Sequence, residues 1–86
     1  MNNIRMNELR NLIICIDSMT KCECVLDRDV YECEYFDIPP NVHIEYIDIK
    51  DFKDGFITHI TIYVSMRSFQ LFRFWADGMK LKRGSV

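Results

Sequence analysis

Apolar residues along the chain change their spacing once. Between Asn3 and Thr20, the residues Met6, Leu9, Leu12, Ile13, Ile16 and Met19 recur three and four positions apart, which gathers them on one face of a helix. Arg10, Asn11, Asp17 and Ser18 fall on the opposite face, with Ile14 pointing away from the apolar stripe. Asn3 or Asn7 is placed to cap the start. The spacing predicts an N-terminal helix over about residues 3–20.

From Lys21 onward the period is two. Cys22–Leu26 and Val30–Phe36 alternate around Asp27-Arg28-Asp29, which predicts a β-hairpin over about 21–36. A turn at Asp27-Arg28 sets Cys22 against Cys33, Cys24 against Tyr31 and Leu26 against Asp29 on one face. The other face then carries Lys21 against Glu34, Glu23 against Glu32 and Val25 against Val30. This register keeps thiols and tyrosine apart from charge, whereas a one-residue slip would mix them. Pro39-Pro40 ends the hairpin, because proline cannot donate to a ladder.

A second hairpin is predicted over about 42–65, since Asp54-Gly55 between alternating segments is a strong turn signal. It sets Ile49 against Ile60 and Ile47 against Ile62, with Tyr46–Tyr63, Asp48–Thr61 and Lys50–His59 on the other face. Residues 68–83 fit a third hairpin turned at Asp77-Gly78, pairing Trp75 with Lys80 and Phe74 with Leu81. They also fit a helix from Met66 to Asp77 that gathers Phe69, Leu71, Phe72, Trp75 and Ala76, with Gly78 as its cap. The aromatic content favours strand. The expected fold is one α+β domain over residues 1–86, an N-terminal helix packed on an antiparallel meander of five or six strands.

Composition supports a folded domain. The chain is 49% apolar with 3 Gly and 2 Pro, unlike a disordered chain. At 86 residues folding hides about 60–65% of the unfolded chain's surface, so the core is thin. No apolar run reaches the roughly 18 residues of a membrane span, and no secretory leader pattern opens the chain. The expected location is cytoplasmic, with the four cysteines as reduced thiols and no membrane partner. The net charge of −2 conceals an asymmetry: ten acids face Arg28, Lys50 and Lys53 between residues 22 and 54, while Arg67, Arg73, Lys80, Lys82 and Arg83 face only Asp77 after residue 54. Such unevenness creates local fields that steer charged partners.

Chemistry is sparse by comparison. Cys22, Cys24 and Cys33, with His43 from the next strand, invite a zinc reading. Zinc needs converging ligands at about 2.0–2.3 Å, and residues two apart on a strand project in parallel. These cysteines are therefore expected as small core hydrophobes, with no metal or cofactor; a Cys22–Cys33 redox pair is the alternative. His43 and His59 are the only histidines, and Gly55, Gly78 and Gly84 read as turns or tail. Neither a nucleophile with its base nor a phosphate loop is visible, so no enzyme is expected.

Binding is the better supported class. Arg67, Phe72, Arg73, Phe74, Trp75, Lys80, Lys82 and Arg83 interleave charge with aromatics, as single-stranded nucleic-acid binders do. A sequence pI near 5.6 weighs against that reading, and basic residues also deter pairing at a sheet edge. Glu23 opposite Glu32 is a like-charge pair that costs roughly 0.2–1 kcal/mol, with Asp27, Asp29, Glu34 and Asp37 nearby. Val42, Ile44, Tyr46, Tyr63, Phe72 and Phe74 offer more apolar area than one helix covers, which suits a protein interface or a homodimer. In size, charge and lack of catalytic motifs the chain is similar in kind to the small acidic inhibitors of phages and mobile elements, and to immunity proteins that neutralise basic nucleases. The likeness covers no specific positions. The expected function is a non-enzymatic inhibitor or adaptor that blocks a basic, nucleic-acid-binding surface of a partner such as a nuclease. Glu23, Asp27, Asp29, Glu32 and Glu34 stand in for phosphates, with Tyr46 or Tyr63 as the apolar anchor. A single-stranded nucleic-acid module and a structural homodimer are the alternatives.

Overall fold

The computed structural model describes residues 3, 4 and 16–85. Its strands are β1 (Asn3–Ile4), β2 (Lys21–Leu26), β3 (Asp29–Glu32), β4 (Ile44–Lys53), β5 (Phe56–Val64) and β6 (Arg83–Ser85), with one helix, α1 (Phe69–Met79). Short 3-10 turns at Tyr35–Asp37 and Met66–Ser68 precede β4 and α1. Five strands and the two-residue β1 form a mixed sheet in the order β1-β4-β5-β2-β3-β6.

The first two hairpins form in the expected register, but the first is shorter than expected: β3 ends at Glu32 and Tyr35–Asp37 forms a 3-10 turn where strand was expected to Phe36, so Lys21 and Glu34 do not pair. Glu23 pairs with Glu32, Cys24 with Tyr31, Val25 with Val30 and Leu26 with Asp29, and the Cys33 N–H donates to the Cys22 carbonyl at 3.3 Å. Tyr46, Ile47, Asp48 and Ile49 meet Tyr63, Ile62, Thr61 and Ile60. A register shift after Ile49 sets Asp51, not Lys50, against His59. At the turns, Asp27 and Asp54 take left-handed φ values of 56° and 53°, a conformation that aspartate tolerates better than most residues. Gly55 follows at φ 82°, where a side chain would be strained.

The antiparallel meander does not form. The hairpins join through β2 and β5, which run parallel from Lys21–His59 to Val25–Tyr63. The reason lies in β5, where Ile60, Thr61 and Ile62 are all buried although they alternate between faces. A strand covered on both faces belongs in the middle of a sheet with a partner on each edge. The 33–43 connection carries the chain across the core face, where Tyr35, Ile38 and Val42 join the core.

The C-terminal hairpin expected over 68–83 is replaced by α1. Phe72 and Ala76 are buried and Phe69 and Trp75 partly so, spacings that line one side of a helix. Phe72 meets Tyr31 edge-on at 5.1 Å and Trp75 at 5.4 Å. Burial against the sheet outweighs the aromatic preference for strand. The Ser65 hydroxyl accepts from the Arg67 N–H at 3.2 Å, and the Ser68 hydroxyl accepts from the His43 N–H at 2.7 Å. These bonds fix the approach to α1. The helix runs through Gly78 and ends where Lys80 adopts φ 56°. There the Leu81 N–H reaches the Ala76 carbonyl at 3.0 Å, the six-residue closure of a left-handed cap. The chain then enters β6 beside β3.

The expected N-terminal helix is overturned at both ends. Asn3 and Ile4 pair with Asp48 and Ile47, and residues 18 and 19 form a turn. Residues 5–15 lie outside those described. Asp17 accepts from the Met19 N–H at 2.8 Å, and the Thr20 hydroxyl donates to the Ile57 carbonyl at 2.7 Å. These contacts close the turn against β5. Among the described residues α1 is the only α-helix, and it follows the main strands instead of preceding them. No helix among these residues is long and apolar enough to cross a membrane.

Lys80→Gly removes a side chain from a left-handed position. It is expected to raise stability by about 0.5–1 kcal/mol, read as a higher thermal unfolding midpoint. A lowered midpoint would contradict the cap.

Candidate functional site

Three sulfurs converge beside the open end of the core. Alternation along β2 places Cys22 and Cys24 on the core face, both buried. Cys33 lies just past the end of β3, opposite Cys22. The two β2 side chains project side by side, as residues two apart must. Convergence comes from Cys33, whose Sγ lies 3.4 Å from Cys22 Sγ and 2.6 Å from Cys24 Sγ. All three sulfurs fall within 4.8 Å of one another. His43 is not among them; its backbone bonds Ser65 and Ser68 beyond the C-terminal end of β5, level with the far end of β2 from Cys22.

Each thiol's acidity is set by the two sulfurs beside it. Hydrogen bonds from Cys22 and then Cys24 bring Cys33 down to about 5, against burial and the nearby Glu23 and Asp37. Cys24 is pushed well above the ordinary thiol range by its bonds to Cys22 and Cys33 and by burial. Cys22 is drawn down by Cys24 but raised further by Cys33 and burial.

Above the sulfurs lies a cleft of about 520 Å³. Met19, Trp75, Met79 and Leu81 supply apolar wall, while Glu23, Glu32, Glu34 and Asp37 outnumber Lys21 among its charged groups. Of the acids predicted to contact a partner, Glu32 and Glu34 line this cleft, and Glu23 borders it while its side chain turns to the other face of the sheet, where it lines a second hollow with Asp27 and Tyr63. Asp27 is exposed at the hairpin turn. Asp29 faces α1, with Arg73 at 4.0 Å and Arg83 at 3.8 Å. Tyr46 and Tyr63 stack with ring centroids 4.4 Å apart on the opposite face of the sheet.

On that opposite face Glu23 is anchored. It accepts from the Thr61 hydroxyl at 2.9 Å and pairs with His59 Nε2 at 3.0 Å. Burial works to raise the Glu23 carboxyl, but Thr61 and His59 outweigh it and hold it below its ordinary value. The repulsion expected between Glu23 and Glu32 is relieved by partners on β5, which no hairpin-level pattern brings alongside. Lys50 bonds Asp48 at 2.9 Å.

The residues of the nucleic-acid alternative are divided. Phe72 is fully buried. Arg73 lies 5.5 Å over the Phe69 ring and shares Asp29 with Arg83. Phe74 is 82% exposed, and Arg67, Lys80 and Lys82 are also exposed. The cleft residues Met19 and Met79 were not singled out as a site by sequence, and Trp75 only within the nucleic-acid alternative, because only the helical form of 69–79 brings Trp75 and Met79 to β2. Comparison with family models, with curated proteins and with solved structures returns no match.

Thr61→Val keeps shape at a buried position but deletes the donor to Glu23. It is expected to cost about 1 kcal/mol in denaturant unfolding, with Thr61→Ser close to the parent. Equal stability of the valine variant would show that the bond supports nothing.

Proposed function

We propose that the protein is a non-enzymatic binding protein that blocks a basic, nucleic-acid-binding surface of a protein partner such as a nuclease. The observation that supports this reading is the state of the acids around the cleft. Among the described residues, Glu23, Asp29 and Asp48 are engaged by basic partners. Glu32, Glu34 and Asp37 are exposed, and none of the ion pairs among the described residues includes them. They line the cleft together with its apolar wall.

That combination suits a lysine or arginine side chain. The carboxylates attract its charged head, Met19 and Met79 cover its aliphatic stem, and Trp75 offers a ring face for the cation. In this arrangement the apolar anchor beside Glu34 and Asp37 is Met19 with Trp75, while Tyr63 shares the other face of the sheet with Glu23 and Asp27. Inhibition follows from occupancy alone. The attraction accelerates encounter at low salt and weakens as ions screen it.

Capture from a host lysate with the full chain and with the triple variant E32K/E34K/D37K tests the reading. The parent chain is expected to retain a basic protein that rising salt releases, and the triple variant is expected to lose it. A partner held equally by both, or held independently of salt, would contradict an acidic blocking surface.

A further inference from the structure

The cysteines carry a second function that the partner reading does not use. We propose that Cys22, Cys24 and Cys33 bind a zinc ion through their three Sγ atoms, with the fourth position open to the cleft. Tetrahedral zinc holds thiolate sulfur at about 2.3 Å, which places neighbouring sulfurs about 3.8 Å apart. The three Sγ atoms already lie within 4.8 Å of one another, with Cys22 and Cys33 at 3.4 Å. The 2.6 Å approach of Cys24 and Cys33 must widen by about 1 Å, and the 3.4 Å separation of Cys22 and Cys33 by about 0.4 Å. Cys33 can supply that movement, since it lies beyond the end of β3 and is half-buried. Cys22 and Cys24 are fixed by the β2 ladder on both sides, so two of the three ligands are positioned before the ion arrives.

A purely hydrophobic role needs no such convergence, because a thiol filling core space packs as well against isoleucine. Here three polarisable sulfurs turn toward one point. Cys22 and Cys33 line the cleft, which gives the ion a way in from solvent, and Glu34 and Asp37 make its mouth attractive to cations. Thiolate donors select zinc over magnesium or calcium, which prefer oxygen. Binding forms three Zn–S bonds, displaces water from the ion and sends the remaining thiol protons to bulk solvent, with no change of oxidation state.

Cobalt(II) titration of the reduced full chain tests the site, with zinc as the displacing ion. The expected result is one cobalt per chain, a thiolate-to-cobalt charge-transfer band in the near ultraviolet, and its loss on adding one equivalent of zinc. Cys33→Ser spares the β2 ladder and is expected to weaken binding at least tenfold with an unchanged circular dichroism spectrum. Cys22→Ser is expected to show the same weakening. A reduced parent chain that gives no such band, or a Cys33→Ser variant that binds cobalt as tightly as the parent, would overturn the site. Neither result bears on the carboxylate reversals, so the two readings fail separately.

Discussion

The parallel pairing of β2 with β5 is the constraint on which the rest depends. Two locally specified hairpins become one sheet only there, and the register from Lys21–His59 to Val25–Tyr63 assigns every β2 side chain its neighbours. Cys22 and Cys24 come to lie with Ile60 and Ile62 on the core face. Glu23 comes to lie beside Thr61 and His59 on the other. Parallel ladders are slightly weaker per residue and need a crossover between the strands. The 33–43 connection provides that crossover and covers the core face with Tyr35, Ile38 and Val42.

The same arrangement explains how an uneven charge distribution is used. The basic end of the chain returns to the acidic middle, with β6 pairing β3 and both Arg73 and Arg83 approaching Asp29. Part of the charge contrast is thus spent within the fold. Of the acids left without a basic partner among the described residues, Glu32, Glu34 and Asp37 line the cleft with its apolar wall, beside the sulfurs. Soft ligands at the floor and carboxylates at the rim make this the chemically distinct region of the described surface.

Local pairing was legible in the residues, and long-range docking was not. Alternation with Asp27-Arg28 and Asp54-Gly55 turns was enough to place Glu23 against Glu32 and Ile47 against Ile62, because a hairpin's register follows from its turn. Nothing local says which strand β5 takes as its second neighbour. The only signal was the nearly continuous Ile60–Val64 run, which a one-sided antiparallel strand would interrupt with polar residues. The helix over 69–79 was visible in the spacing of Phe69, Phe72, Trp75 and Ala76, yet aromatic content pointed the other way. The cleft was hidden for the same reason. Its acids were readable as neighbours on the hairpin, but its apolar wall arrives from α1. Convergence of the thiols was missed because it depends on Cys33 leaving the strand, which alternation cannot express.

The whole fold stands on β2 and β5 being neighbours, and through-space proton contacts measured by nuclear magnetic resonance test this most directly. The predicted result is a set of backbone contacts in parallel order, linking Cys22 with Ile60, Glu23 with Thr61 and Cys24 with Ile62. Contacts between β3 and β4, with β2 left at a sheet edge, would contradict it.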